Sequence, residues 1–280
     1  MFWIRRDELS VALKEWQVFK RFTALLISLS LAWLTGCASP PDPESNLTPE
    51  EKRKRVQDRA KIHTELAGQY YSRGQYRVAI EEAEIALRAN NNYAPAYNVL
   101  GLIYMDLRED GRAQVNFERA IRIAPNDADV HNNYGWFLCR NPAQIDLAID
   151  HFMQAIKDPF YEIPEKSYTN AGLCVLKRND FEQAKAYLQK ALVIHPDYPL
   201  AVLGLIQIDY LSRNLRVAQT NITRYIQSYP LSADSLWLAI RIEHALGNDQ
   251  AVASYGAQLQ RRFPDSNEAR SLREGKLRDE

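Results

Sequence analysis

The chain has 280 residues, and its 35 Lys and Arg are matched by 35 Asp and Glu, for a formal net charge of zero. A protein that grips nucleic acid carries a basic excess to neutralise phosphates, so this balance argues against that class. Three cysteines are too few for a small disulfide-knit scaffold.

Residues 1–36 read as a targeting segment and not as fold. Lys14, Lys20 and Arg21 precede an apolar run from Phe22 to Leu34, and small residues follow; this is the layout of an export signal. Leu34-Thr35-Gly36-Cys37 resembles the lipobox of bacterial lipoproteins. The resemblance implies cleavage before Cys37, diacylglycerol on its thiol and acylation of the new amine. A covalent lipid on Cys37 is thus expected, and no other cofactor. The alternative is a transmembrane anchor, but about 13 apolar residues fall short of the ~20 that span a bilayer. Ala38 and Ser39 stand where an inner-membrane retention signal would place Asp, so the resemblance implies an outer-membrane anchor with the domain facing the periplasm. Residues 37–49 contain four prolines and little that packs, and read as an extended tether. Thr48-Pro49-Glu50-Glu51 then opens a helix, with Thr48 as cap, Pro49 in the first turn and Glu51 reaching back.

Residues 50–280 are expected to be all-α and repetitive. The stretch Ala94–Asp127 sets the pattern. Tyr97, Leu100, Gly101 and Tyr104 lie at its positions 4, 7, 8 and 11, Ala113, Phe117 and Ala120 at 20, 24 and 27, and Pro125 at 32. This spacing resembles the tetratricopeptide (TPR) repeat, a 34-residue helix–turn–helix. Such a unit cannot bury its apolar face alone, so neighbours are required. Two ladders supply them. Pro125, Pro159, Pro196, Pro230 and Pro264 recur at steps of 34, 37, 34 and 34 residues. Ala79, Ala113, Ala148, Ala184, Ala218 and Val252 recur at 34, 35, 36, 34 and 34. The resemblance implies a right-handed superhelical solenoid of about six repeats. Their bounds are 60–93, 94–127, 128–164, 165–198, 199–232 and 233–266, with 267–280 as a C-terminal cap. Repeat three carries an extra turn residue in Arg140-Asn141-Pro142 and an insertion at Phe160–Pro164. Repeats five and six are degenerate, lacking the glycine at position 8.

No catalytic constellation emerges. The histidines at 63, 131, 151, 195 and 244 form no HExxH or comparable metal spacing. His131 and His151 share a repeat, but Asp127, Asp129 and Asp150 around them suit helix caps and surface. Nucleophile elbows and phosphate-binding glycine loops are absent from the sequence. Neither an enzyme, a metal site nor a small-molecule substrate is expected.

The repeats offer a groove instead. In TPR arrays, positions 2, 5, 9 and 12 of the first helices face the concave side. By that resemblance the candidate lining is Tyr71, Asn98, Leu102, Met105, Asn132, Trp136, Leu173 and Leu176. Asn98 and Asn132 carry a donor and an acceptor together, suited to an extended backbone. The apolar members form a strip that points to a protein partner; the alternative is that they are solenoid core. Cys139 and Cys174 fall on consecutive first helices. Outside the cytoplasm such a pair forms a disulfide if the Cα atoms come within about 7 Å. Two buried free thiols are the other reading.

A lipobox, a proline tether and six repeats together resemble the type IV pilus biogenesis lipoproteins of the PilF/PilW pilotin family. Asn132-Asn133-Tyr134-Gly135-Trp136-Phe137-Leu138-Cys139 and Asn170-Ala171-Gly172-Leu173-Cys174 carry that resemblance locally. It implies a monomeric protein that binds the pilus secretin, brings it to the outer membrane and promotes its multimerisation. The alternative is a general envelope scaffold serving an outer-membrane assembly machine or a periplasmic protease.

Overall fold

The computed structural model describes residues 47–277. The signal segment, Cys37 and most of the tether lie outside the described residues. The chain divides into two units at the Arg55–Val56 bond. In the first, Thr48 and Glu51 form a reciprocal cap. The Thr48 N–H donates to Glu51 Oε2 at 2.7 Å, and the Glu51 N–H donates to Thr48 Oγ1 at 3.2 Å. These bonds hold the Glu51 carboxyl below its ordinary range and start helix α1 (Pro49–Ser72).

The second unit is a succession of helix pairs. α1 is followed by α2 (Tyr76–Ala89), then α3 (Ala94–Asp106) with α4 (Asp110–Ile123), and α5 (Ala128–Leu138) with α6 (Ile145–Ile156). Next come α7 (Pro164–Leu176) with α8 (Phe181–Ile194), α9 (Pro199–Leu211) with α10 (Leu215–Ser228), α11 (Ala233–Ala245) with α12 (Asp249–Arg262), and α13 (Asn267–Arg273). Side chains fix many of the starts: Asp127, Asp180, Asn248 and Ser266 each accept a backbone N–H from the first turn. Among the described residues there is no strand, and no helix is long and apolar enough to cross a membrane. The described chain is an all-α TPR array.

Size complementarity holds each pair together. Ala79, Ala113, Ala148, Ala184 and Ala218 are fully buried where the second helices begin. At position 8 a glycine meets a large side chain from position 24. A Cβ on Gly101 would come 2.7 Å from the Phe117 ring, one on Gly135 2.9 Å from Phe152, and one on Gly172 2.8 Å from Leu188. Phe117, Phe152 and Leu188 are themselves fully buried. The degenerate repeats keep the helix pair by other pairings. Repeat five buries Ile206 and Ile222 together, and repeat six reverses the sizes, with Ile240 at position 8 and Gly256 at position 24. Leu272 of α13 covers Gly256 at 3.2 Å from its would-be Cβ.

The turns repeat as well. Gly74, Arg108, Asn179, Arg213 and Gly247 occupy the left-handed region, with φ between 61° and 73°. Repeat three, with its extra residue, replaces that turn by a 3-10 segment at Pro142–Gln144. There the Asn141 side chain accepts the Ala143 N–H at 3.0 Å.

Candidate protein-binding groove

The 3- and 4-residue spacing of the first helices brings their position-2, -5 and -9 residues to one side. Between α5, α7, α9 and the start of α11 they enclose a cavity of about 430 Å³. Trp136, Leu173, Leu200 and Leu203 form its apolar wall, with Lys166 and Asp234 among the lining residues. Gly204 lets α9 approach: a Cβ there would stand 3.1 Å from Leu173 and 2.9 Å from Leu188.

The polar wall is a chain of amides running across three repeats. Asn133 Nδ2 donates to Asn98 Oδ1 at 3.3 Å, and Asn132 Nδ2 donates to Asn133 Oδ1 at 3.1 Å. Asn132 Oδ1 then accepts from Asn170 Nδ2 and from Ser167 Oγ, both at 3.0 Å. Asn132 is 1 % exposed and committed to its neighbours; it orients Asn133 and Asn170, which line the cavity. The Asn170 amide is bonded at one end only among the described residues, so the other end is open to a ligand backbone.

Of the candidate residues, Asn132, Trp136 and Leu173 line the cavity, and Leu102 is partly buried against the core. Tyr71 lies half-buried and donates its hydroxyl to Asp106 Oδ2 at 2.9 Å. Burial, and then Asp106, raise its pKa. Asn98 is 9 % exposed and serves the amide chain. Met105 and Leu176 are 7 % and 5 % exposed and belong to the main apolar core; Met105 also lines a smaller space with Trp136, Arg108 and Arg140, whereas Leu176 lines neither. Leu200, Leu203, Gln207, Asn133, Asn170 and Asp234 were missed. Leu200, Leu203 and Gln207 occupy positions 2, 5 and 9 of repeat five, so the same positional rule reaches them once that repeat is counted.

Cys139 and Cys174 are joined by a disulfide, with Cα atoms 5.6 Å apart. It ties the C-terminal end of α5 to α7. Lys177 donates to the Cys139 carbonyl at 3.1 Å, with its ammonium 5.6 Å from the Trp136 ring. Desolvation, and then the Arg140 charge, lower the Lys177 pKa.

His131 and His151 form a hydrogen-bonded pair. His131 Nε2 donates to the Pro125 carbonyl at 2.9 Å, which leaves its Nδ1 to accept from His151 Nδ1 at 2.8 Å. Desolvation, and then His131, push the His151 pKa down to about 4. Among the described residues no group of three or more His, Cys, Asp or Glu could hold a metal.

Comparison with known proteins places this geometry. Models of the tetratricopeptide repeat match residues 94–127 and 165–198, and a further one matches 116–157. The first two coincide with repeats two and four. The type IV pilus assembly protein PilF of Pseudomonas aeruginosa is 28% identical over 245 residues, covering 88% of this chain and 95% of that protein. The crystal structure of PilW, a widely conserved type IV pilus biogenesis factor, superposes with a TM-score of 0.65. It is 36% identical, covering 76% of this chain and 97% of PilW. The structure of Pseudomonas aeruginosa PilF gives a TM-score of 0.61 at 26% identity, over 79% of this chain and 99% of that one. Repeat pattern, helix pairing and near-complete coverage of these relatives agree, and the chain belongs to the PilF/PilW family of type IV pilus biogenesis TPR proteins.

Proposed function

We propose that the protein is a pilotin: an outer-membrane lipoprotein that holds a segment of the pilus secretin in its groove and promotes the secretin's arrival and multimerisation there. The observation that carries this reading is the cavity between α5, α7 and α9, with an apolar wall facing a wall of oriented amides. Apolar side chains and an extended backbone can be held together in such a site. It is built in a chain whose relatives are named for pilus biogenesis. In this reading the lipid on Cys37 supplies the address and the protein acts by escort and local concentration, as a monomer and without chemistry.

Fractionation of secretin multimers in cells lacking the protein tests it. Monomeric secretin stranded in the inner membrane, rescued by the wild type but not by Cys37→Ala, is the expected result. Trp136→Glu should fail in the same way while keeping its helical content and melting temperature. Normal outer-membrane multimers in the deletion strain would remove the pilotin reading.

A further inference from the structure

We propose that the groove's occupant is a partner segment in which apolar residues adjoin acidic ones, the acidic part entering a cationic cleft at the turn ends of α3, α5 and α7. This rests on the reading that the groove holds a protein segment, and adds its chemical class.

Three cavities adjoin through shared lining residues. Trp136 lines both the 430 Å³ groove and a smaller space of about 240 Å³. Arg108 and Arg140 line that space and also a third of about 510 Å³, whose far wall carries Lys177 and whose apolar contribution is Phe137. In this proposal a chain lying on Leu173 and Trp136 continues past Trp136 to Arg108, Arg140 and Lys177.

Two of the three cations there, Arg140 and Lys177, are held in place, and two, Lys177 and Arg108, lack a carboxylate partner among the described residues. Arg140 Nη1 is held by the Met105 carbonyl at 3.0 Å and by Asp110 Oδ1 at 2.9 Å. Lys177 is held by the Cys139 carbonyl at 3.1 Å, a residue whose position the disulfide sets. Neither Lys177 nor Arg108 pairs with a carboxylate among the described residues. Asp110 is engaged by Arg140, and Asp106, the other carboxylate lining the two spaces shared by Arg108 and Arg140, accepts the Tyr71 hydroxyl. A neutral or basic segment closing over the cleft would desolvate Arg108 and Lys177 with nothing in return. A carboxylate entering there forms charge-assisted bonds to Lys177 and Arg140, which are already held, and to the exposed Arg108, and the field would speed encounter and reject basic partners.

The test is a selection from a random display library of internal twelve-residue peptides against the full chain in detergent micelles, followed by anisotropy measurements on the selected peptides. The expected outcome is enrichment of Asp or Glu next to apolar residues. Binding should weaken by about tenfold in the Arg108→Gln/Lys177→Gln double variant, or when the peptide's acids become amides. Trp136→Glu and Leu200→Glu should each abolish it. Peptides lost in Trp136→Glu but equally tight to the double variant would leave the groove standing and overturn its acidic complement. So would selected sequences without acids, which would point to a free C-terminal carboxylate or a wholly apolar ligand. Peptides indifferent to Trp136→Glu, or no groove-dependent peptide at all, would overturn both readings. Unchanged thermal unfolding of each variant shows that its fold is retained.

Discussion

Partial burial gives His151 a charge preference that acid must fight. Its pKa lies near 4 in the folded chain, against about 6.5 in an unfolded one. Between those values the unfolded chain binds a proton that the folded one refuses, so stability rises with pH across the interval. The contribution is complete above about pH 6.5 and drains away as pH falls towards 4. His131 cannot relieve the repulsion by turning, because its Nε2–H is held by the Pro125 carbonyl, and Tyr134 stands edge-on to His151 at 4.8 Å. Urea midpoints should therefore drop between pH 6.5 and 4.5, and His151→Gln should flatten that slope. An identical slope in the variant would place the acid sensitivity elsewhere.

At the scale of the helix pair, the spacing of two backbones is set by what position 8 omits. In Gly101→Ala the new methyl would overlap the Phe117 ring at 2.7 Å, and that ring is fully buried with no room to retreat. A cost of about 1–3 kcal/mol is expected, as for other overpacked cores. Gly68, inside α1, has nothing within 4 Å of its would-be Cβ, so Gly68→Ala should gain up to about 1 kcal/mol of helix propensity. Thermal unfolding of the two variants checks the sign: destabilisation by both would mean that Gly68 also serves close packing. These contacts were legible because they recur. A 34-residue period exposes the small residues at positions 8 and 20 and the large one at 24 without any knowledge of the coordinates. The groove was half legible for the same reason. Asn132, Trp136 and Leu173 follow from the positional rule, but its last position holds only in part, since Leu176 is covered by the core while Met105, though in that core, reaches the smaller space lined by Trp136. Leu200 and Leu203 escaped because repeat five has lost the glycine that advertises a TPR helix, although the helix itself, α9, is intact. The amide chain from Asn98 to Asn170 has no periodic signature. Asn133 and Asn170 stand at position 6, outside the rule, and only the packing of α5 on α7 brings them together.

A tandem array is stabilised between neighbours, so its ends open first unless they are closed by something polar outside and apolar inside. The buried side chains fall into successive clusters. The largest runs from Ala67 to Ile208, a second centres on Leu203, Ile222 and Ile242, and a third joins Leu236, Ile240, Leu259 and Ala269. The third depends on α13, a helix of seven residues that could not persist alone. It is capped by the Ser266 hydroxyl, which accepts the Ala269 N–H at 3.0 Å, and it turns Ala269 and Leu272 inward. Leu272 fills the space that the usual bulky residue at position 24 would occupy, because repeat six has Gly256 there. Removing it should act locally. Leu272→Ala, a partly buried truncation, should cost about 2 kcal/mol, and hydrogen exchange should show faster exchange in α11 and α12. Amides of α3–α6 should keep their protection, since their cluster shares no residue with the third. Equal loss of protection throughout would mean that the array unfolds as one unit and that α13 is a cap for the whole chain, not for its last repeat alone.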